Sequence, residues 1–246
     1  MKTAFYGRTV FGVSSVLFGV IALVWHDADT WQSMARIWSL PLGSPIGACL
    51  MIAQITGGIA LMLPRTSRQG AIVLGVVYAL FSLACVPGIV AAPGAYESYG
   101  SFFEQFALVC GALAVYGATE NDAARSAALR RAARLGLGLC AVSFALAQIA
   151  YLHFTAELVP AWIPPTQTFW AILTTIAFAL AAIAMLANLK ARLAARLMAV
   201  MLALFGLLVW VPRLVAHPGA HFGWSEFALN FLITGAAWLV ADSTIS

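Results

Sequence analysis

TFWAILTTIAFALAAIAMLA, residues 168–187, runs for twenty positions without a charge, and Asn188-Leu-Lys190-Ala-Arg192-Leu-Ala-Ala-Arg196 follows it at once. Twenty residues rising 1.5 Å each make a helix of about 30 Å, the thickness of a bilayer's hydrocarbon core. In lipid the backbone must satisfy its own hydrogen bonds, so the run is predicted to be a transmembrane helix and the cationic stretch its link to the next. Seven more runs of this kind lie to either side: Thr9–Trp25, Pro45–Leu63, Gly70–Val86, Phe102–Tyr116, Leu135–Leu152, Leu193–Val211 and Phe227–Val240.

Composition agrees. Of 246 residues, 63% are hydrophobic and only 9% charged, against about 25% charged in soluble domains. Eight spans use most of the chain and leave no room for a soluble nucleotide-binding or catalytic domain. The first residues, a basic leader before an apolar stretch, have the look of a signal peptide. A matching helix in the second half argues instead for a retained span.

Charge sets the orientation. Lys2, Arg8, Arg65, Arg68, Arg125, Arg130, Arg131, Arg134, Lys190, Arg192 and Arg196 fall on one side, and only Arg36 and Arg213 on the other. That split predicts cytoplasmic termini and an inner (plasma) membrane location. It also accounts for the net charge of +4 without nucleic acid. The opposite side carries all four histidines (His26, His153, His217, His221) and seven of the eight tryptophans, more than an interfacial belt explains.

The chain repeats itself. Arg8-Thr-Val-Phe-Gly12 echoes Arg134-Leu-Gly-Leu-Gly138, and His26 and His153 each close the first helix of a half. Trp38-Ser-Leu-Pro41 matches Trp162-Ile-Pro-Pro165, and Gly58-Ile-Ala-Leu matches Ala182-Ile-Ala-Met. Val86-Pro87 with Pro93-Gly94-Ala95 matches Val211-Pro212 with Pro218-Gly219-Ala220. Most pairs stand 124 to 126 positions apart; Glu104-Gln-Phe-Ala-Leu and Glu226-Phe-Ala-Leu fall a few residues short. The reading is an all-α membrane protein of eight helices, as two tandem four-helix bundles in the same orientation. Residues 1–119 form the first repeat, 120–133 a cytoplasmic linker and 134–246 the second repeat. Four being even, the halves should share a pseudo-twofold axis along the membrane normal.

His153-Phe154, Val159-Pro-Ala-Trp-Ile-Pro-Pro165, the cationic turn from Lys190 to Arg196, Val211-Pro212-Arg213 and Trp224-Ser-Glu226 together resemble the DoxX-like membrane proteins, which are four-helix units. The likeness covers Arg134 to Asp242. The first half is more divergent, with no double proline and Gly88 where Arg213 stands. The resemblance implies a helix bundle linked to a quinone-reducing or other redox system, with a quinone as the cofactor and a redox enzyme as the partner.

Polar side chains at membrane depth are costly and mark candidate sites. His153, near Gln148 and Tyr151, reads either as a quinone or headgroup contact or as an interfacial histidine. Glu104 and Glu226 open two spans, where a helix dipole favours a carboxylate. Glu226 has Asn230 one turn further in and Arg213 as the nearby outer cation, so an Arg213–Glu226 pair either orients a ligand or seals the bundle. The candidate ligand site is His153, Trp162, Arg213, Trp224, Glu226 and Asn230. His217 and His221 have the spacing of a metal pair, but Pro218-Gly219 between them and the lack of further ligands predict no metal and no haem. None of the four cysteines forms a CxxC; a Cys49–Cys85 bridge is geometrically conceivable and stays open.

No residue set defines an autonomous enzyme. Three functions remain: a membrane subunit of a quinone-linked redox system, a binding or transport protein for a lipid or small apolar molecule, and an assembly partner of another membrane protein. Surrounding lipids are partners in each, and an oligomer is compatible with all. A reporter enzyme fused after Ser246 is expected to be active only in the cytoplasm; activity on the far side of the membrane would overturn the orientation.

Overall fold

A computed structural model describes residues 3–25 and 36–244; His26 and Trp31 fall outside them. Eight helices are long and apolar enough to cross a membrane, and no strand occurs among the described residues. They are α1 (Thr3–Trp25), α2 (Gly43–Met62), α3 (Ser67–Ala91), α4 (Tyr96–Ala118), α5 (Ala123–Ala150), α7 (Gln167–Leu186), the span Ala191–Ala216 and α10 (His221–Ser243). A short helix, α6 (Leu152–Leu158), precedes α7. The seventh span begins as α8 (Ala191–Phe205), passes through a π-helical turn at Gly206–Trp210 and ends as α9 (Val211–Ala216). Outward faces carry Ile52, Ile59, Leu83, Ile172, Ile176, Leu180 and Ile183 exposed, as a lipid-facing surface requires. The chain is a multi-pass membrane protein.

The helices close into one ring: α1, α2, α3, α4, α5, α7, α8, α10 and back to α1, with α4 and α10 also packed on each other across the middle. That shared wall splits the ring into two lobes. The first lies among α1–α4 and α10, the second among α5, α7, α8, α10 and α4. Neighbours recur in register: α1 meets α2 as α5 meets α7, α3 meets α4 as α8 meets α10, and α4 meets α5 as α10 meets α1. The central position of α10 shows in its burial, 72% of its core window against 28% for the peripheral α7.

Small residues permit these approaches. A Cβ on Gly111 of α4 would stand 2.7 Å from the Cβ of Ala236 in α10. One on Gly12 of α1 would stand 2.7 Å from the carbonyl oxygen of Gly58 in α2, and one on Gly58 as close to the carbonyl of Gly12. The first lobe is then filled with large side chains. Phe11, Met51, Tyr78 and Phe81 are fully buried. The Tyr78 hydroxyl lies 2.8 Å from Ser15 Oγ, and Gln54 Nε2 donates to the Ser15 carbonyl at 3.1 Å.

Cationic side chains tie the ends together on the face that carries the basic loops. Arg68 reaches Glu120 at 3.3 Å and lies over the Tyr116 ring. Arg196 meets Asp242 at 3.4 Å. Arg134, largely buried, donates to the Met185 carbonyl near the C-terminal end of α7, where the helix dipole favours a cation. Asp122 caps α5 by accepting from the Arg125 amide at 2.9 Å.

Gly12→Val puts carbon against a carbonyl at the α1–α2 crossing. Overpacking of this kind costs about 1–3 kcal/mol, so the variant is expected to melt earlier in detergent by light-scattering thermal scan, whereas Gly94→Ala, with open space around it, is expected to melt like the parent.

Candidate functional site

Where the first lobe is filled, the second encloses a cavity of about 420 Å³. Its walls come from five spans, the short helix α6 (Thr155 and Leu158) and the loop after it. From α5 come Phe144, Ala147 and Gln148; from α7, Trp170, Thr174 and Phe178. Met201, Phe205, Leu208 and Trp210 come from α8 and its π turn, and Glu226, Leu229, Asn230 and Ile233 from α10. The loop after α6 closes one end with Val159, Pro160 and Ile163, and Glu104 enters from α4 across the shared wall. At 1.5 Å per residue, Glu104 sits about 12 Å along α4 from its start at Tyr96, and Glu226 about 8 Å along α10.

Most of the lining is aromatic or aliphatic. Phe144 and Phe178 pack edge to face with centroids 5.5 Å apart, and Phe178 meets Phe205 at 6.5 Å. The polar exceptions are few. Gln148 Oε1 accepts from the hydroxyls of Thr174 at 3.2 Å and Thr175 at 2.9 Å, a polar link between α5 and α7. The Trp170 indole donates to the Pro164 carbonyl at 2.9 Å, which pins the proline loop over the cavity end. Trp224 repeats the device on Pro218 at 3.0 Å. Asn230 Oδ1 is sealed without a partner, against the glycine of the π turn, where a Cβ on Gly206 would stand 2.9 Å from it.

Glu104 and Glu226 make no hydrogen bond and no ion pair among the described residues. They are not among the sealed unpartnered atoms either, so their carboxyl oxygens open onto the cavity. No Lys, Arg or His lines it.

No protein-family model matches the chain, and neither a curated protein nor a solved structure matches it.

Of the six residues expected to form a ligand site, Glu226 and Asn230 line the cavity. The other four lie elsewhere. His153 is on α6 with its side chain 94% exposed, 3.1 Å from Glu157 one turn on. Trp162 is 72% exposed on the proline loop. Arg213 stacks over Trp210 with its guanidinium carbon 5.4 Å from the ring centroid, and with His217 and Phe222 it lines a separate surface groove. Trp224 packs beside Phe227 at 6.5 Å. Arg213 and Glu226 are not within ion-pair distance. All four cysteines are free. Among the described residues no three His, Cys, Asp or Glu side chains converge as a metal site needs.

By sequence Glu104 is a helix-opening carboxylate, and its entry into the second lobe depends on the α4–α10 crossing. The link from Gln148 to Thr174 and Thr175 had a usable signal: polar side chains inside otherwise apolar spans. Gln148→Leu removes the acceptor from both threonines. Interhelical hydrogen bonds in membranes average near 0.6 kcal/mol, so this variant is expected to lose about 1 kcal/mol in detergent thermal scans. Arg213→Gln, on the surface, is expected to change stability by no more than about 0.5 kcal/mol; a large loss would show that Arg213 seals the bundle.

Proposed function

We propose that this protein takes a small, largely apolar molecule from the bilayer into the second-lobe cavity. The chemistry favours a quinone-like ring or a lipid: a mostly apolar pocket with a few convergent polar groups is the usual form of a small-molecule site. The cavity itself carries this reading. Two features give it an entry from the membrane. The α7–α8 seam is the loosest between neighbours in the ring, and the span that forms one side of it passes further on through a π turn packed on α10, a feature often found at functional sites. Leu204, exposed on α8, is at once lipid-facing and part of the cavity wall.

The DoxX-like resemblance of Arg134–Asp242 adds a quinone as the ring and a redox enzyme as the neighbour. With the charge split it favours the inner membrane, basic loops in the cytoplasm and the cavity toward the outer face. The chain then acts as a binding or accessory subunit rather than as an enzyme on its own.

Organic extraction of protein purified in mild detergent, followed by mass spectrometry, is expected to yield about one apolar molecule per chain. Ala147→Trp, which fills the cavity from α5, is expected to lose it while eluting at the parent's volume in size-exclusion chromatography. Equal ligand content in the two proteins would overturn the proposal.

A further inference from the structure

The two carboxyl groups are what an apolar ligand alone leaves unexplained. Each ionised carboxylate at membrane depth costs a few kcal/mol unless it is paired or wet, and this chain places two on one cavity from two different helices, Glu104 from α4 and Glu226 from α10. Neither has a partner within the described residues. Among the described residues no other charged side chain comes within ion-pair distance of either. Arg68, Arg125, Arg134 and Arg196 are engaged on the basic-loop face, with Glu120, Met185 and Asp242 as partners. On the opposite face Arg213 is stacked on Trp210 in a separate surface groove. Arg36 stands over Gly88 on the first-lobe side.

The wall around the carboxyls is of a particular kind. Phe144, Trp170, Phe178 and Phe205 line the same space. Rings attract a cation through their quadrupole, most strongly when the cation is desolvated. Carboxylates with aromatic rings and no competing cation make a surface complementary to a positive charge carried on an apolar body.

We propose that the cavity is a site for lipophilic organic cations, with an ammonium or other onium centre held between Glu104 and Glu226 and its apolar body against Phe144, Trp170, Phe178 and Phe205. This rests on the second-lobe cavity being a ligand site and specifies the charge of the ligand. Entry from the bilayer through the α7–α8 seam suits such molecules, which partition into membranes by their apolar parts.

The test uses two ions of the same shape and opposite charge. Tetraphenylphosphonium and tetraphenylborate are titrated by isothermal calorimetry into the full chain in a neutral detergent. Tetraphenylphosphonium is expected to bind one per chain and at least about tenfold more tightly than tetraphenylborate, the scale on which charge complementarity discriminates. In Glu104→Gln/Glu226→Gln that preference is expected to vanish, with folding checked by elution volume and thermal midpoint. Ala147→Trp is expected to abolish binding with both carboxyls intact, which keeps the proposal testable if the double variant does not fold. Equal binding of the two ions, blocked by Ala147→Trp, would overturn the cationic assignment and leave the apolar site standing. Phosphonium binding that survives Ala147→Trp would place it outside the cavity and overturn the proposal, as would no binding of either ion. In that last case the extraction experiment decides separately whether the cavity holds a neutral molecule.

Discussion

The contact between Gly111 of α4 and Ala236 of α10 is the constraint on which the rest of the structure depends. With almost no side chain between them, two helices that begin far apart in sequence run as one central wall. In lipid there is no hydrophobic force to drive helices together, so close backbone approach must supply the attraction through dispersion and packing. Once α4 and α10 are joined, the three helices preceding each have somewhere to close, and the chain becomes a ring of two lobes. Gly111 and Ala236 stand 125 positions apart, the same spacing as the repeated motifs, so the contact lies where a twofold relation would pair a position with its own counterpart. At that spacing Gln105, buried with an unpartnered Oε1, rather than Glu104, corresponds to Asn230.

The lobes share a plan but not a filling. At the 125-residue spacing Phe81 corresponds to Gly206 and Tyr78 to Ala203; at the 124-residue spacing Met51 corresponds to Thr175. Each substitution removes bulk from the second lobe, and the last adds a hydroxyl. The first lobe spends its interior on Tyr78, Ser15 and Gln54, a hydrogen-bonded and fully buried set that fixes three helices. The second spends less on packing and keeps a void, with α7 the least buried of its helices. Dense interiors resist deformation, so the first lobe is suited to hold the central wall still while the second keeps room beside it.

How much of this was legible in the sequence follows from the physics of each feature. Lipid forces every backbone group to be paired within its own segment, so the eight spans were plain from the uncharged runs. The ends were less plain: the run starting at Phe102 begins in the structure at Tyr96, and the one starting at Leu135 begins at Ala123, because polar and basic turns extend helices beyond the hydrocarbon core. The void was not legible, since a small residue such as Ala147 or Gly206 reads alike whether it faces lipid, a helix or empty space. The directions of the His153 and Arg213 side chains were hidden for a related reason: being ionisable and near a span end says nothing about which way a side chain turns, and both turn to the surface.

Glu104 shows why the site belongs to the whole ring and not to the half that resembles a four-helix unit. By sequence it belongs to the first half of the chain, yet it opens onto the second lobe because α4 is the wall between them. Four of the five spans around the cavity come from the second half, and without α4 that half would lack one wall and one carboxyl. Glu104 from one half and Glu226 from the other line the same cavity, so the polarity of the site arises from joining the two halves along α4 and α10.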